Sequence, residues 1–361
     1  MQAPEDRIRL RVVHEADATV DGRGNCTVAR TEGEWVGESR IFLQRAGMRL
    51  GLWTGATLGG GLRDGTQAMD PVMAALVRFV RKLPPKRPAI PAFRVQYEQG
   101  LAMMGLRPDR RVQAADVTGH GLTGRLYEPV GAARGGLLYF HGGGFMMGSV
   151  VSHDALCRRF AAAGLRVLSV AYRLAPEHPF PAAHDDAATA LVWARELLGE
   201  HLGVGGDSAG ANLATGLARE AGVVLQVLLY PVADMVDEPA LYPSLTRFGE
   251  GYLLTSEGLR ECAALFLPDG ADRSDARISP IRGVLEGAAP AVVCVAGFDP
   301  LCDQGVAYAA ALTQAGVTTV LLREMGMIHG FADFAGIVPS ARLAVERFVA
   351  AVMAAWPHHA A

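Results

Sequence analysis

Three side chains able to pass protons among themselves stand far apart in this sequence. They are Ser208 in Gly206-Asp207-Ser208-Ala209-Gly210, Asp299 in Gly297-Phe298-Asp299-Pro300-Leu301, and His329 in Met327-Ile328-His329-Gly330-Phe331. A serine hydroxyl is a weak nucleophile until a neighbouring base takes its proton, and an imidazole serves as that base when a third group fixes its tautomer. The glycine-flanked serine suits a sharp turn from a strand into a helix, where there is no room for Cβ atoms on either side and the helix N-terminus faces developing negative charge. Asp303, one helical turn beyond Asp299, is a competing acid. His141 is a competing base, although its place beside three glycines suits the shaping of a loop better.

That loop, His141-Gly142-Gly143-Gly144-Phe145, directly follows an apolar run. Successive glycines let backbone N–H groups approach a ligand oxygen closely. With the N–H of Ala209, those of Gly143 and Gly144 form a candidate oxyanion hole, in which each donor is typically worth a few kcal/mol. The alternatives are a flexible loop or a phosphate-binding loop, and the second would lack its usual lysine or G-x-G-x-x-G frame.

These residues need rigid elements to bring them together. From about residue 134 onward, short apolar runs alternate with helical patterns, which predicts a parallel sheet covered by helices. Leu137–Phe140, Leu165–Tyr172, Val223–Tyr230, Val292–Ala296 and Thr318–Leu322 read as strands buried on both faces, and His201–Gly205 as a short strand leading to Ser208. His153–Ala163, Ala183–Leu198, Ala209–Ala221 and Gln304–Ala315 read as helices. Asp299 and His329 then follow strands, at the ends where such sheets deliver functional side chains, and the order Ser, Asp, His needs neither metal nor cofactor. Upstream, Pro71–Lys82 and Phe93–Met104 read as two helices joined by a stiff proline-rich linker. Ile8–Val13 and Cys26–Arg30, flanking Asp21-Gly22-Arg23-Gly24, predict a β-hairpin.

The 361 residues carry 34 basic and 37 acidic side chains, so no whole-chain field favours nucleic acid or an anionic membrane. Half the residues are apolar and a fifth charged, as in a globular protein. Five cysteines without a CxxC pair read as reduced thiols, which points to a cytoplasmic protein. No secretory leader or membrane span is expected: Met1–Leu10 lacks an apolar core, and Ile41–Leu62 is interrupted by Arg45 and Arg49. The latter stretch is expected to pack on the main domain, with an interfacial anchor as the alternative.

Taken together, the motifs resemble the hormone-sensitive-lipase-like esterases of the α/β-hydrolases (bacterial family IV), in the branch whose elbow reads GDSAG. Besides HGGGF and GDSAG, the chain has YRLAPEHPFPAA at Tyr172–Ala183, Gly251-Tyr252-Leu253-Leu254-Thr255, Ile278-Ser279-Pro280-Ile281, DPL at Asp299 and HGF at His329. The similarity spans about residues 67–355. It implies an α/β-hydrolase fold: an eight-stranded, mostly parallel sheet with helices on both faces and a helical lid. Residues 1–66 would be an extension of unassigned role, 67–108 the N-terminal lid helices, and 109–361 the core with a lid insertion at about 232–270. It also implies hydrolysis of short- to medium-chain carboxylic esters without metals or cofactors, and, since many members pair, a homodimer as one assembly to test. The departures are Ala211 in place of a usual glycine and Cys302 where a charged residue is commoner.

Two other classes share these residues. The fold serves in plants as a small-molecule receptor after losing the histidine, which this chain retains, and the same site could act on amides or lactones or transfer acyl groups. Long-chain lipase activity is disfavoured by the charges on the expected lid, among them Arg78, Arg81, Lys82, Arg247 and Arg260.

Overall fold

The computed structural model describes residues 44–45, 47–57, 61–82 and 89–357, with the backbone of 18–20 and 26–28. Its centre is an eight-stranded sheet made of β1 (Gln113–Gly119), β2 (Leu122–Glu128), β3 (Gly135–Phe140), β4 (Leu165–Ala171), β5 (Leu202–Asp207), β6 (Val223–Leu229), β7 (Ala291–Phe298) and β8 (Thr319–Ile328). The spatial order is β1-β2-β4-β3-β5-β6-β7-β8. Only β2 runs against the rest: it pairs antiparallel with both β1 and β4, while the pairs from β4 to β8 are parallel.

The central strands are apolar on both faces because helices cover both. Along β3, Leu137 and Tyr139 join the core beneath α3 (Asp154–Ala162) and α8 (Pro339–Ala355), whereas Leu138 and Phe140 join the core beneath α4 (Ala182–Leu198), α5 (Ala209–Gly216) and α7 (Cys302–Gln314). Successive side chains of a strand point to opposite faces, so an unbroken apolar run fills both layers. The expected strands and helices of this region are all present, with bounds shifted by a few residues. The largest shift is in β8, expected to end at Leu322 but continuing through Arg323 and Glu324 to Ile328.

Strands β1 and β2 were not among the expected elements. They form an edge hairpin of mixed burial whose two-residue turn, His120-Gly121, has positive φ at both positions (51° and 78°), the primed geometry that matches strand twist. Near the N-terminus, a short antiparallel pair joins Ala18–Val20 to Cys26–Val28. The second strand falls within the expected Cys26–Arg30. Its partner here is Ala18–Val20, nearer the turn, while the expected Ile8–Val13 lies outside the described residues. With pairing running from Val20↔Cys26 to Ala18↔Val28, the register itself selects that nearer segment.

Helix α1 (Pro71–Val80) begins where Asp70 accepts hydrogen bonds from the N–H groups of Val72 and Met73, both 2.9 Å, with proline at its first position. Helix α2 (Ile90–Met104) starts three residues before expected, because Pro91 falls in the first turn, where its missing N–H costs nothing. The proline-rich linker between them lies outside the described residues. Residues 47–57 are helical; Leu52 is buried, and Arg49 donates to the Gly336 carbonyl, so this stretch packs on the core as expected. None of the described helices is long and apolar enough to cross a membrane.

Candidate active site

The turn after β5 places Ser208 at φ 51° and ψ −117°, a conformation that lifts its hydroxyl clear of the strand. The two glycines make this turn sterically feasible. A Cβ at Gly206 would lie 2.4 Å from the Gly210 carbonyl carbon, and one at Gly210 would lie 2.0 Å from the Phe140 oxygen at the end of β3. Elbow and β3 therefore touch backbone to backbone.

His329, immediately after β8, has Nε2 2.9 Å from Ser208 Oγ and Nδ1 2.8 Å from Asp299 Oδ2. Asp299, after β7, is almost wholly buried, and its other oxygen accepts the Leu301 N–H at 2.8 Å. A carboxylate fixed at both oxygens holds Nδ1–H in place and leaves Nε2 free to accept the serine proton. The Tyr230 ring packs against His329, centroids 4.8 Å apart, closing off one side of the imidazole.

The competing residues have other work. Asp303 accepts from the Ser244 N–H at 2.7 Å and so ties down the short helix Ser244–Arg247. His141 is buried, stacks on Tyr172 at 4.4 Å, and has Nδ1 2.9 Å from the Gly142 oxygen. Burial, reinforced by the neighbouring His153, pushes its imidazole down to about 3, so it stays neutral and shapes the loop.

The glycine loop turns tightly, with Met146 and Met147 N–H groups both donating to the Gly143 carbonyl. Gly143 has φ 118° and Gly144 φ 61°, values that L side chains rarely adopt. The N–H groups of Gly143, Gly144 and Ala209 donate to no backbone oxygen among the described loop and turn contacts, which leaves them available.

Sequence reasoning places Asp207 as a scaffold residue near the elbow but misses the partners through which it locks this loop there. Asp207 accepts from Tyr139 Oη and from the Gly142 N–H, both at 2.9 Å, and pairs with His153 at 3.1 Å. Burial pushes the Asp207 carboxyl up, but the His153 charge and the hydrogen bonds outweigh it and hold it below the usual carboxylate range. His153 is raised in turn: burial pushes it down, and Asp207 more than compensates. No spacing rule links positions 153 and 207. Arg94 was missed too; from α2 (Ile90–Met104) it donates to the carbonyls of Met146 (2.7 Å) and Ala175 (2.9 Å) and pairs with Glu177.

Ser208, His329, Gly143 and Gly144 line one wall of a cavity of about 400 Å³, a size suited to small organic ligands. Its other walls are mainly apolar, with Phe93, Leu101 and Met104 from α2 and Leu259 and Ala263 from α6 (Ser256–Phe266).

Residues 137–333 match a family model described as the alpha/beta hydrolase fold. The chain belongs to the hormone-sensitive-lipase-like esterases of the α/β-hydrolase fold. Among curated relatives of this esterase family, it is 41% identical to an ethyl acetate hydrolase of Pseudomonas putida over 275 residues, covering 69% of this chain and 85% of the relative. It is 38% identical to the carboxylesterase NlhH of Mycobacterium tuberculosis over 273 residues, covering 68% and 83%. Among solved family structures, a hyperthermophilic esterase from the archaeon Pyrobaculum calidifontis superposes with a TM-score of 0.72 at 35% identity, covering 79% of this chain and 98% of the other.

Proposed function

We propose that this chain is a serine carboxylesterase acting on short- to medium-chain carboxylic esters. The observation that carries the reading is the continuous hydrogen-bond path from Ser208 Oγ through His329 to buried Asp299, beside the glycine loop and in the wall of an apolar cavity. Ser208 Oγ attacks the acyl carbon as its proton passes to His329 Nε2, and the new C–O⁻ points at the N–H groups of Gly143, Gly144 and Ala209. Asp299 stabilises the imidazolium. Collapse of the tetrahedral intermediate breaks the bond to the alkoxy oxygen, which leaves with the proton from His329. Water then repeats the sequence on the acyl-enzyme, with His329 taking a proton from water and returning it to Ser208.

Family relatives named as hydrolases of ethyl acetate and other carboxylic esters support this substrate class. In this reading α1, α2 and residues 232–270 form a lid over the core of residues 109–361, and the cavity walls given by α2 and α6 support it. The free thiols of Cys157, Cys262, Cys294 and Cys302 fit a reducing, cytoplasmic setting. The deciding experiment assays p-nitrophenyl esters of increasing acyl length on wild type and Ser208→Ala side by side. Turnover of short chains by wild type alone supports the reading; turnover that survives in Ser208→Ala rejects it.

A further inference from the structure

Four carboxylates line the cavity: Asp207, Asp234, Asp237 and Asp333. Three have cationic partners, His153 at 3.1 Å, Arg282 at 2.9 Å and Arg260 at 2.7 Å respectively. Asp333 has none among the described residues. Its side-chain hydrogen bond there comes from Tyr97 Oη, 3.0 Å from Oδ2.

Asp333 belongs to the short 3-10 turn Phe331–Phe334 that follows His329 and Gly330, so the segment that delivers the imidazole also delivers this carboxylate. Tyr97 lies one helical turn beyond Arg94 on α2, and the contacts of Arg94 to the Met146 and Ala175 carbonyls fix that turn of the helix. Around the pair the cavity is walled by Phe93, Leu101, Met104 and Phe334. An anion in such surroundings is poorly solvated and is best complemented by a cation that brings its own donors. The titratable groups that act on Asp333 are His153, already paired with Asp207, Asp207 itself, and His329, engaged by Ser208 and Asp299. None of them is free to neutralise it.

We propose that Asp333, oriented by Tyr97, is a specificity-determining residue that receives an ammonium group of the ester substrate. Only the statement that the cation belongs to an ester rests on the hydrolase reading; the binding of an alkylammonium does not. Asp333 provides the charge, and Tyr97 turns Oδ2 and leaves Oδ1 for the ligand. Burial supports the assignment, because it raises the carboxyl to about 6 and thus marks a site where negative charge is under-compensated.

The test is calorimetric titration of Ser208→Ala protein with pentylammonium and with pentan-1-ol, a neutral molecule of the same length. The expected result is binding of the amine roughly tenfold tighter or more at pH 8, as for a charge-assisted hydrogen bond. Adding Asp333→Asn abolishes the preference and adding Tyr97→Phe reduces it. Because those variants could disturb folding, the same preference is followed without them: it fades as pH falls from 8 to 5, where pentylammonium stays charged and Asp333 takes up its proton. Equal binding of amine and alcohol, or a preference that persists in Asp333→Asn or at pH 5, overturns the proposal. In wild type, an ester bearing an amine should exceed its isosteric neutral partner in kcat/KM, and that ratio should collapse in Asp333→Asn. Ammonium preference in a protein that cleaves no ester would sink the hydrolase reading and keep the subsite; ester cleavage with no preference would do the reverse.

Discussion

Helix α5 contains two glycines whose replacement by alanine should have opposite consequences. At Gly210 the new methyl carbon would sit 2.0 Å from the Phe140 backbone oxygen, well over an ångström inside ordinary contact, and 2.6 Å from the His141 oxygen, also too close. Neither oxygen is the far end of a flexible side chain, so α5 and the end of β3 must move apart. Overpacking of this kind costs about 1–3 kcal/mol, with backbone partners favouring the upper end. The same displacement separates Ser208 and the Ala209 N–H from the glycine loop, and a shift near 1 Å in reacting geometry lowers turnover by about 10²-fold. At Gly216, six residues along the same helix, an added Cβ meets nothing within 4 Å, and alanine should stabilise the fold by about 0.5–1 kcal/mol. Urea unfolding and kcat/KM on p-nitrophenyl acetate, measured on both variants, test the pair. If Gly210→Ala stays within about 0.5 kcal/mol of wild type with undiminished turnover, the claim that backbone contact sets the spacing of elbow and loop is wrong.

Other variants probe the chemistry and the electrostatics. Ser208→Ala and His329→Ala should each lower kcat by about 10⁴-fold or more, with Asp299→Asn somewhat less damaging; single-turnover assays would expose any contaminant activity. Asp207→Asn leaves the His153 charge buried without its partner and should cost about 3–5 kcal/mol in urea unfolding. In wild type, Asp207 titrates below the ordinary carboxylate range, so its stabilisation is present above that range and disappears as pH drops through the lowered value; the Asn variant should lose this acid-dependent segment. Asp333 has the opposite sign: held at about 6 in the fold, it binds a proton that the unfolded chain releases nearer pH 4, so stability declines as pH rises through that window. Asp333→Asn should therefore be more stable than wild type by about 1–2 kcal/mol at pH 8, with the gap about halved at pH 5 and closed only below about pH 4; an equal difference at pH 8 and pH 5 would remove the assigned cause.

What could be read from the sequence was what local sterics encode. Gly206, Gly210, Gly143 and Gly144 each answer to a contact or a dihedral that excludes a side chain, so they mark the elbow and the loop in any single sequence. The two-sided burial of β3 to β7 leaves apolar runs for the same reason. Strands β1 and β2 leave no such trace, because they mix exposed and buried positions near one edge and their turn is His-Gly instead of the commoner Asn-Gly. Asp207–His153 and Tyr97–Asp333 were illegible because each joins residues whose separation, 54 and 236 positions, only the completed fold brings to hydrogen-bonding distance.

The chain order of the site also has a consequence during synthesis. Ser208 emerges 121 residues before His329, which follows the last strand of the sheet and adds at its far edge. A growing polypeptide that has already folded β3 to β6 would display the elbow with its hydroxyl unactivated. Asp299 arrives next and has no imidazole to orient. In the proposed mechanism the serine acquires its base only when β8 docks beside β7, so reactivity would be withheld until the sheet is complete, and a ribosome that stalls before position 329 would leave a product with an inert hydroxyl.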